Sequence, residues 1–285
     1  MLELPRSARL AVWGSAVLAG TAAPPAATRA VTRADEPHRV VGLALLPVPG
    51  TVPGPTSGLR PTGPTGDPDG EGTDGPPGLV ALLSALALAG VEALRVVLPV
   101  PGDVSGLPGP ATFNQAALDA GECVLVEPDR LGLALLPEVT VFGSALDRGT
   151  LVTWHVHRVA EHRVTGLGGV AEAEALLSTS LRDATSELAG LEVAAWGQDA
   201  ADRVADVRRG VLRSGALPPS TPPRCVRVLE GALRIRAIVA LAREDDGGSV
   251  TAGEAARRAE ALRALDSVAR RAVVAAVNAG GGAGR

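Results

Sequence analysis

The sequence predicts an α+β fold, a small mixed β-sheet with flanking helices followed by an all-helical bundle. Two observations carry the prediction. Up to about residue 165, short Val/Leu runs alternate with Pro and Gly, the rhythm of strands and turns. From residue 170 the apolar residues step by four and three instead, the rhythm of a helix face. The expected organisation is therefore an α+β domain over 1–165, with a disordered Pro/Gly-rich insertion at 47–78, and a four-helix bundle over 166–285.

Ser7 is placed to cap a helix over 8–19 and Thr28 a short one over 29–34. Residues 38–46 then form a β-run ending at Pro47. The insertion contains almost nothing apolar, so it cannot bury enough surface to offset the entropy of ordering. A helix over 79–89 stops at Gly90 and a strand follows over 93–98. After the loop 99–110, a helix over 111–120 ends at Gly121. Strands over 122–126 and 131–136 make a hairpin, and a last strand over 151–159 carries Trp154. Gly42-Leu43-Ala44-Leu45-Leu46-Pro47 recurs almost letter for letter at 132–137, a repetition that a Leu/Ala-biased chain also produces by accident.

The bundle follows from four stretches. Leu177, Leu181, Ala184, Leu188 and Leu191 make one seam, and Ala200, Val204, Val207 and Val211 a second. Thr221 caps a third helix, with Pro222 at its first position, that runs to about Arg243. A fourth spans about 254–278, with Leu262, Leu265, Ala269, Ala272, Val273 and Ala276 on one face. Short turns between them make a bundle.

Composition excludes several chemistries. All 27 basic side chains of the 285 residues are Arg, and Tyr is absent. A P-loop, a kinase and a pyridoxal enzyme each need a Lys. The aromatics are few: Trp13, Phe113, Phe142, Trp154 and Trp196. Cys123 and Cys225 lie far apart and read as small buried hydrophobes. No apolar run reaches the ~18 residues of a membrane helix. Arg6 and Arg9 before the apolar 10–20, with Thr21-Ala22-Ala23 after it, resemble a secretory signal. Gly14 and Ser15 inside that stretch speak against one, and a cytoplasmic location is expected.

Charge is divided along the chain. Residues 203–285 hold 15 Arg against 8 acids, and 1–202 hold 12 against 23. Such asymmetry points to an acidic partner or to docking of one half on the other, with pairs such as Arg257–Glu260 and Arg263–Asp266 on helix faces. Arg208, Arg209, Arg257, Arg258, Arg270 and Arg271 could grip nucleic-acid phosphates. Adjacent Arg on a helix diverge by about 100°, however, and no nucleic-acid motif accompanies them.

Two constellations could carry chemistry. The first is a strand-to-helix loop in which Gly102 and Gly106 let backbone N–H groups approach an anion, with Asp103, Asn114 and Gln115 to orient it. Its prolines remove donors, and a rigid Pro/Gly crossover is the commoner explanation. The second is His155 and His157, two apart on a strand and so on one face, with Glu161 or His162 closing a divalent-metal site for a metal-dependent hydrolase. Its plain alternative is a solvent-facing strand edge. Apart from such a metal no cofactor is expected.

The run Leu98-Pro99-Val100-Pro101-Gly102-Asp103, the segment Gly106-Leu107-Pro108-Gly109 and residues 117–121 resemble a family of uncharacterised actinobacterial proteins. The helix beginning Pro222-Pro223-Arg224 and the Ala-rich last helix near Asn278 resemble it too. The resemblance implies no activity and transfers no site residue. The expectation is a non-catalytic binding or regulatory protein whose partner is another protein or a second copy of itself, with no membrane contact. Metal-dependent hydrolysis and Arg-mediated nucleic-acid binding are the alternatives. A buried, convergent cluster of titratable side chains in a deep cleft would overturn the view that contact, not bond-breaking, is this protein's business.

Overall fold

The computed structural model describes residues 2–33, 35–46, 77–128, 131–144, 147–161, 168–190, 198–244 and 251–281. Of the insertion expected at 47–78, all but the last two residues lie outside this set. Eight α-helices are described: α1 Arg6–Leu18, α2 Pro24–Thr32, α3 Leu79–Leu88, α4 Ala111–Ala120, α5 Val170–Gly190, α6 Gln198–Arg209, α7 Pro223–Arg243 and α8 Ala252–Gly280. Five strands, β1 Arg39–Val41, β2 Ala93–Val97, β3 Cys123–Glu127, β4 Leu133–Gly143 and β5 Arg148–Arg158, form one mixed sheet ordered β1-β5-β4-β3-β2. Only β1 and β5 run parallel. The α+β class and the helical C-terminal part are as the sequence predicts.

The sheet is covered on both faces. Leu94, Val96, Val124, Leu135, Val152 and Trp154 point into the main core with α1 and α3, while Leu125, Ala134 and Leu136 pack under Phe113 and Ala117 of α4. The main core continues without a break into the helices, through Leu229, Leu262 and Val273. Apolar residues surround α1, and such a helix must be enclosed. Every residue of it from Ser7 to Ala16 is buried. Most of the apolar stretch that resembles a secretory signal is thus packed in the core, while Ala19, Gly20, Thr21 and Ala23 after it are exposed.

Two sequence features decide how α1 sits. A Cβ on Gly14 would lie 2.5 Å from Leu94 Cδ1, so a larger residue here would have to push that methyl aside in a filled core. The next residue completes the contact: Ser15 Oγ accepts from Leu94 N at 2.9 Å and donates to Leu94 O at 3.1 Å. From the other half, Asn278 of α8 does the same for Val96, its Oδ1 accepting from Val96 N at 2.8 Å and its Nδ2 donating to Val96 O at 3.1 Å. β2 is an edge strand, and these two side chains occupy the backbone groups that a further strand would otherwise take.

Several local expectations are corrected. Pro5, not Ser7, is the N-cap of α1, and Pro24 starts α2 early, leaving Thr28 inside it. Residues 43–45, read as part of a β-run, form a 3₁₀ turn, whereas the near-identical letters at 132–137 enter β4. Strand pairing, available to the second copy and not the first, separates them. β4 continues six residues past Pro137, because Glu138–Gly143 pair with β5. α8 begins earlier than expected on a capping box, in which Thr251 Oγ1 accepts from Glu254 N and the Glu254 carboxylate accepts from Thr251 N.

Candidate functional site

The loop 99–110 is occupied by the protein itself. Gly102 and Gly106 adopt positive φ, as a glycine-dependent loop requires. The Asp103 carboxylate accepts from Arg270 Nη2 at 2.6 Å and lies 3.4 Å from Arg271 Nε. Hydrogen bonds from Ser105 and Arg270 hold its pKa well below the usual carboxylate range. Arg270, 5 % exposed, also donates to Leu98 O. Asn114 Oδ1 accepts from Gly109 N at 2.9 Å and so ties the loop to α4. Asp103 and Asn114 therefore dock α8 and brace the crossover. Arg263 donates back to Ala259 O, and Asp266 pairs with Arg236 in place of the expected Arg263.

His155 and His157 do share a face, the α4 side of the sheet, with ring centroids 6.3 Å apart. The strand is not an edge, since β5 lies between β1 and β4. His155 Nε2 is 2.7 Å from the Glu138 carboxylate, and His157 meets Phe113 edge-on at 5.7 Å. Burial, and then the neighbouring His155, lower the pKa of His157. Glu161 is exposed beyond the strand end, and His162 lies outside the described residues. Among the described residues, no group of three or more His, Cys, Asp and Glu is arranged to hold a metal.

A different set of charges converges, and it follows from α1. Arg9 stands among Ala8, Leu10, Ala11 and Val12 on α1, so its guanidinium is carried inward and is 5 % exposed. Its Nη1 donates to Val31 O at 2.7 Å, in the last turn of α2, where a cation faces the negative end of the helix dipole. Its Nη2 lies 3.9 Å from Asp35 Oδ2, and its Nε is buried without a hydrogen-bond partner. Burial and then repulsion by Arg33 lower its pKa to about 10. One turn back, Arg6 grips Asp35 with two bonds, at 2.9 and 3.0 Å.

Asp35 links this pair to the sheet. Its Oδ2 is 3.4 Å from His38 Nε2, and His38 Nδ1 accepts from Trp154 Nε1–H at 3.1 Å. Because indole N–H can only donate, His38 must be the neutral tautomer with its proton on Nε2, facing Asp35. Burial pushes the pKa of this imidazole down to about 4. Burial also opposes the Asp35 carboxylate, but Arg6 and His38 overcome it and keep its pKa low. From the opposite side, Glu122 accepts from Ser7 N at 2.8 Å, and burial raises its pKa.

Arg6, Arg9, Asp35 and Glu122 line a cleft of about 760 Å³ between the N-terminal part and the helices, with Asp206, Leu233 and Arg236 on the helical wall. That volume suits a small molecule. Arg33, donating to Glu3 at 3.2 Å, stands at the cleft and is the one non-glycine residue of positive φ among those described. The cysteines are no part of it. Both are free and buried, and burial pushes the Cys123 thiol up to about 12. Sequence reasoning missed the cleft. The one available signal was an Arg flanked by Ala8, Leu10, Ala11 and Val12, which must be buried and paired if the helix is enclosed.

Two family profiles match the chain: Rv1486c-like protein, N-terminal domain, over residues 7–177, and Rv1486c-like protein, C-terminal domain, over residues 171–274. The chain belongs to the Rv1486c-like family. Its similarity to the uncharacterised protein Rv1486c of Mycobacterium tuberculosis (strain ATCC 25618 / H37Rv) is 29% identity over 293 residues, covering 96% of each chain. An uncharacterised protein of Mycobacterium avium is 32% identical over 216 residues, 65% of this chain and 70% of the relative. One from Mycobacterium leprae (strain TN) is 28% identical over 206 residues, 65% and 67% of the two chains. No solved structure matches the chain. The cleft draws Arg9, Asp35 and Glu122 from the region of the first profile, and Asp206 and Arg236 from that of the second.

Proposed function

We propose that this chain is a non-catalytic binding protein that receives its ligand in the cleft between α1 and the helices. The observation that carries the reading is the fixed charge of the cleft floor. Arg6 and Asp35 are locked in a two-bond pair, Arg9 is anchored on α2, and Glu122 is anchored on Ser7 N. Groups held in this way recognise a ligand without having to be ordered by it. A buried titratable cluster in a cleft is the geometry that weighs against a non-catalytic role, so the non-catalytic reading rests on how the members of this cluster hold their protons. Catalysis by this cluster would need a carboxylate or imidazole poised to exchange protons near neutrality. His38 instead stays neutral down to about 4, and Asp35 is held ionised by Arg6. Glu122, whose pKa burial raises, is tied to Ser7 N and is the one member through which proton transfer would have to run.

A thermal-shift screen of small molecules tests this, run with the parent and with a variant, Val207→Trp, that fills the cleft from α6, where Val207 lines it. A binding protein shows saturable stabilisation that the variant loses, and mass spectrometry recovers the compound unchanged. Chemical conversion of the compound sinks the non-catalytic reading. We place the protein in the cytoplasm, a setting that suits two free buried cysteines. Among the described residues no helix is long and apolar enough to cross a membrane.

A second reading, self-association, is favoured by the distal half of the β4–β5 hairpin, where Val139, Val141 and Phe142 are exposed. Light-scattering mass of the parent and of Phe142→Glu tests it. A monomer in both removes that reading.

A further inference from the structure

We infer that the cleft takes a small oxyanion, a carboxylate or phosphate group on a compact organic body, and that Arg9 and Arg33 hold its acid group. The inference rests on the ligand-binding reading above and adds the chemistry of the ligand. Arg9 carries a full charge with little solvent and incomplete protein compensation. It has a hydrogen bond to Val31 O, a carboxylate at 3.9 Å, and a buried Nε without a partner. The carboxylate nearest to it is already engaged by Arg6 through both oxygens. Arg33 adds a like charge rather than relief, and repulsion between the two lowers the Arg9 pKa. Paired guanidinium groups that repel each other in a half-enclosed cleft gain most from an added anion, because it relieves desolvation and repulsion together.

The other cleft carboxylates answer this need only in part: Asp35 and Glu122 both favour the charged Arg9, but neither gives it a close hydrogen-bonded partner. Glu3, which holds Arg33, is a mostly exposed side chain and screens weakly, and Asp206 pairs outward with Arg209. Glu122 is committed to Ser7 N. Apolar Leu233 and Ala237 on the helical wall face the ligand body, so a bare inorganic ion uses only part of the site. Arg236 is drawn to Asp266 and contributes charge from the opposite wall without contact to the Arg9 pair.

The experiment is amide chemical-shift mapping on the full-length ¹⁵N-labelled chain, titrated with sodium phosphate, sodium succinate, glycerol and spermidine at constant ionic strength. Saturable shifts at Arg9, Arg33 and Val207 amides with phosphate or succinate, and none with glycerol or spermidine, are expected. Phosphate binding tighter than succinate assigns the acid group as a phosphate, and the reverse order as a carboxylate. Because Arg9 is buried and its loss could unfold the chain, the diagnostic variant is Arg33→Gln at the more accessible position. It is expected to weaken anion binding about tenfold, one charge-assisted hydrogen bond, with its melting temperature unchanged. Anion binding unaffected by Arg33→Gln overturns the assignment. Shifts with glycerol or spermidine alone overturn the oxyanion and leave the binding cleft standing. No shift with any probe, together with no stabilising compound in the thermal screen, overturns both.

Discussion

His38 illustrates how one residue couples the cleft to the core. Its Nδ1 is satisfied by Trp154 and its Nε2 faces Asp35, which in turn is held by Arg6. A second proton on the ring would bring two N–H groups head to head at the indole, in a site with little water. An unfolded chain takes that proton near the ordinary histidine value of 6.5, whereas the native imidazole refuses it down to about 4. The unfolded state therefore binds more protons across that window, and stability falls as pH drops through it. The expected loss between pH ~6.5 and pH ~4 is on the order of 3 kcal/mol from this group. Asp35 adds to the loss below that range as its carboxylate protonates. Denaturant midpoints at about pH 7 and about pH 4.5 measure it. His38→Gln, which can accept from Trp154 and donate to Asp35, should flatten the slope. An unchanged slope removes His38 as its source.

The element that most depends on partners outside itself is β2. Its inner edge pairs with β3, and its outer backbone groups are taken by Ser15 and Asn278, one from each half of the chain. Asn278→Leu keeps the volume but leaves Val96 N and O buried without partners, at about 1–3 kcal/mol for each group. The sum should appear as a loss of roughly 2–6 kcal/mol in equilibrium unfolding. Ser15→Ala strips Leu94 N and O in the same way and should cost roughly 2–6 kcal/mol by the same argument. Either variant also exposes a template for strand pairing, so faster aggregation than a surface variant such as Arg257→Gln is expected. If both denaturation curves overlay the parent, edge protection by side chains is not what holds β2.

Across the whole molecule, the sheet and the helices share one core instead of meeting at a polar seam. Trp13 Nε1 donates to Ala216 O, Asn278 and Arg270 of α8 hold β2 and the loop after it, and α1 is enclosed between them. Across the halves, Arg270 and Arg271 meet one carboxylate, Asp103. Opposite charge along the chain therefore contributes less to their union than apolar contact and side-chain amides. A single unfolding transition follows, with far-ultraviolet helix signal and tryptophan fluorescence changing together. Separated midpoints would show two independent units. A fragment of 166–285 should lack a cooperative melt, since its core is completed by α1 and β2.

The sequence by itself determined the α+β class, the five strand positions and the four C-terminal helices. Those are properties of local spacing: four-and-three steps at Leu177, Leu181 and Ala184, and stops at Gly90 and Gly121, act over a few residues. Pairing and enclosure are not local. The same Gly-Leu-Ala-Leu-Leu-Pro letters become a turn at 43–45 and a strand at 133–136 because only one has a partner strand on each side. His155 and His157 were legible as a shared face, but their neighbours Glu138 and Phe113 come from other elements. The cleft is the extreme case. Arg9, Asp35, Glu122 and Arg236 are spread over more than two hundred residues, and no short-range pattern joins them. Tertiary structure alone decided that they meet, because burying α1 obliges each charge it carries to find a partner wherever the fold supplies one.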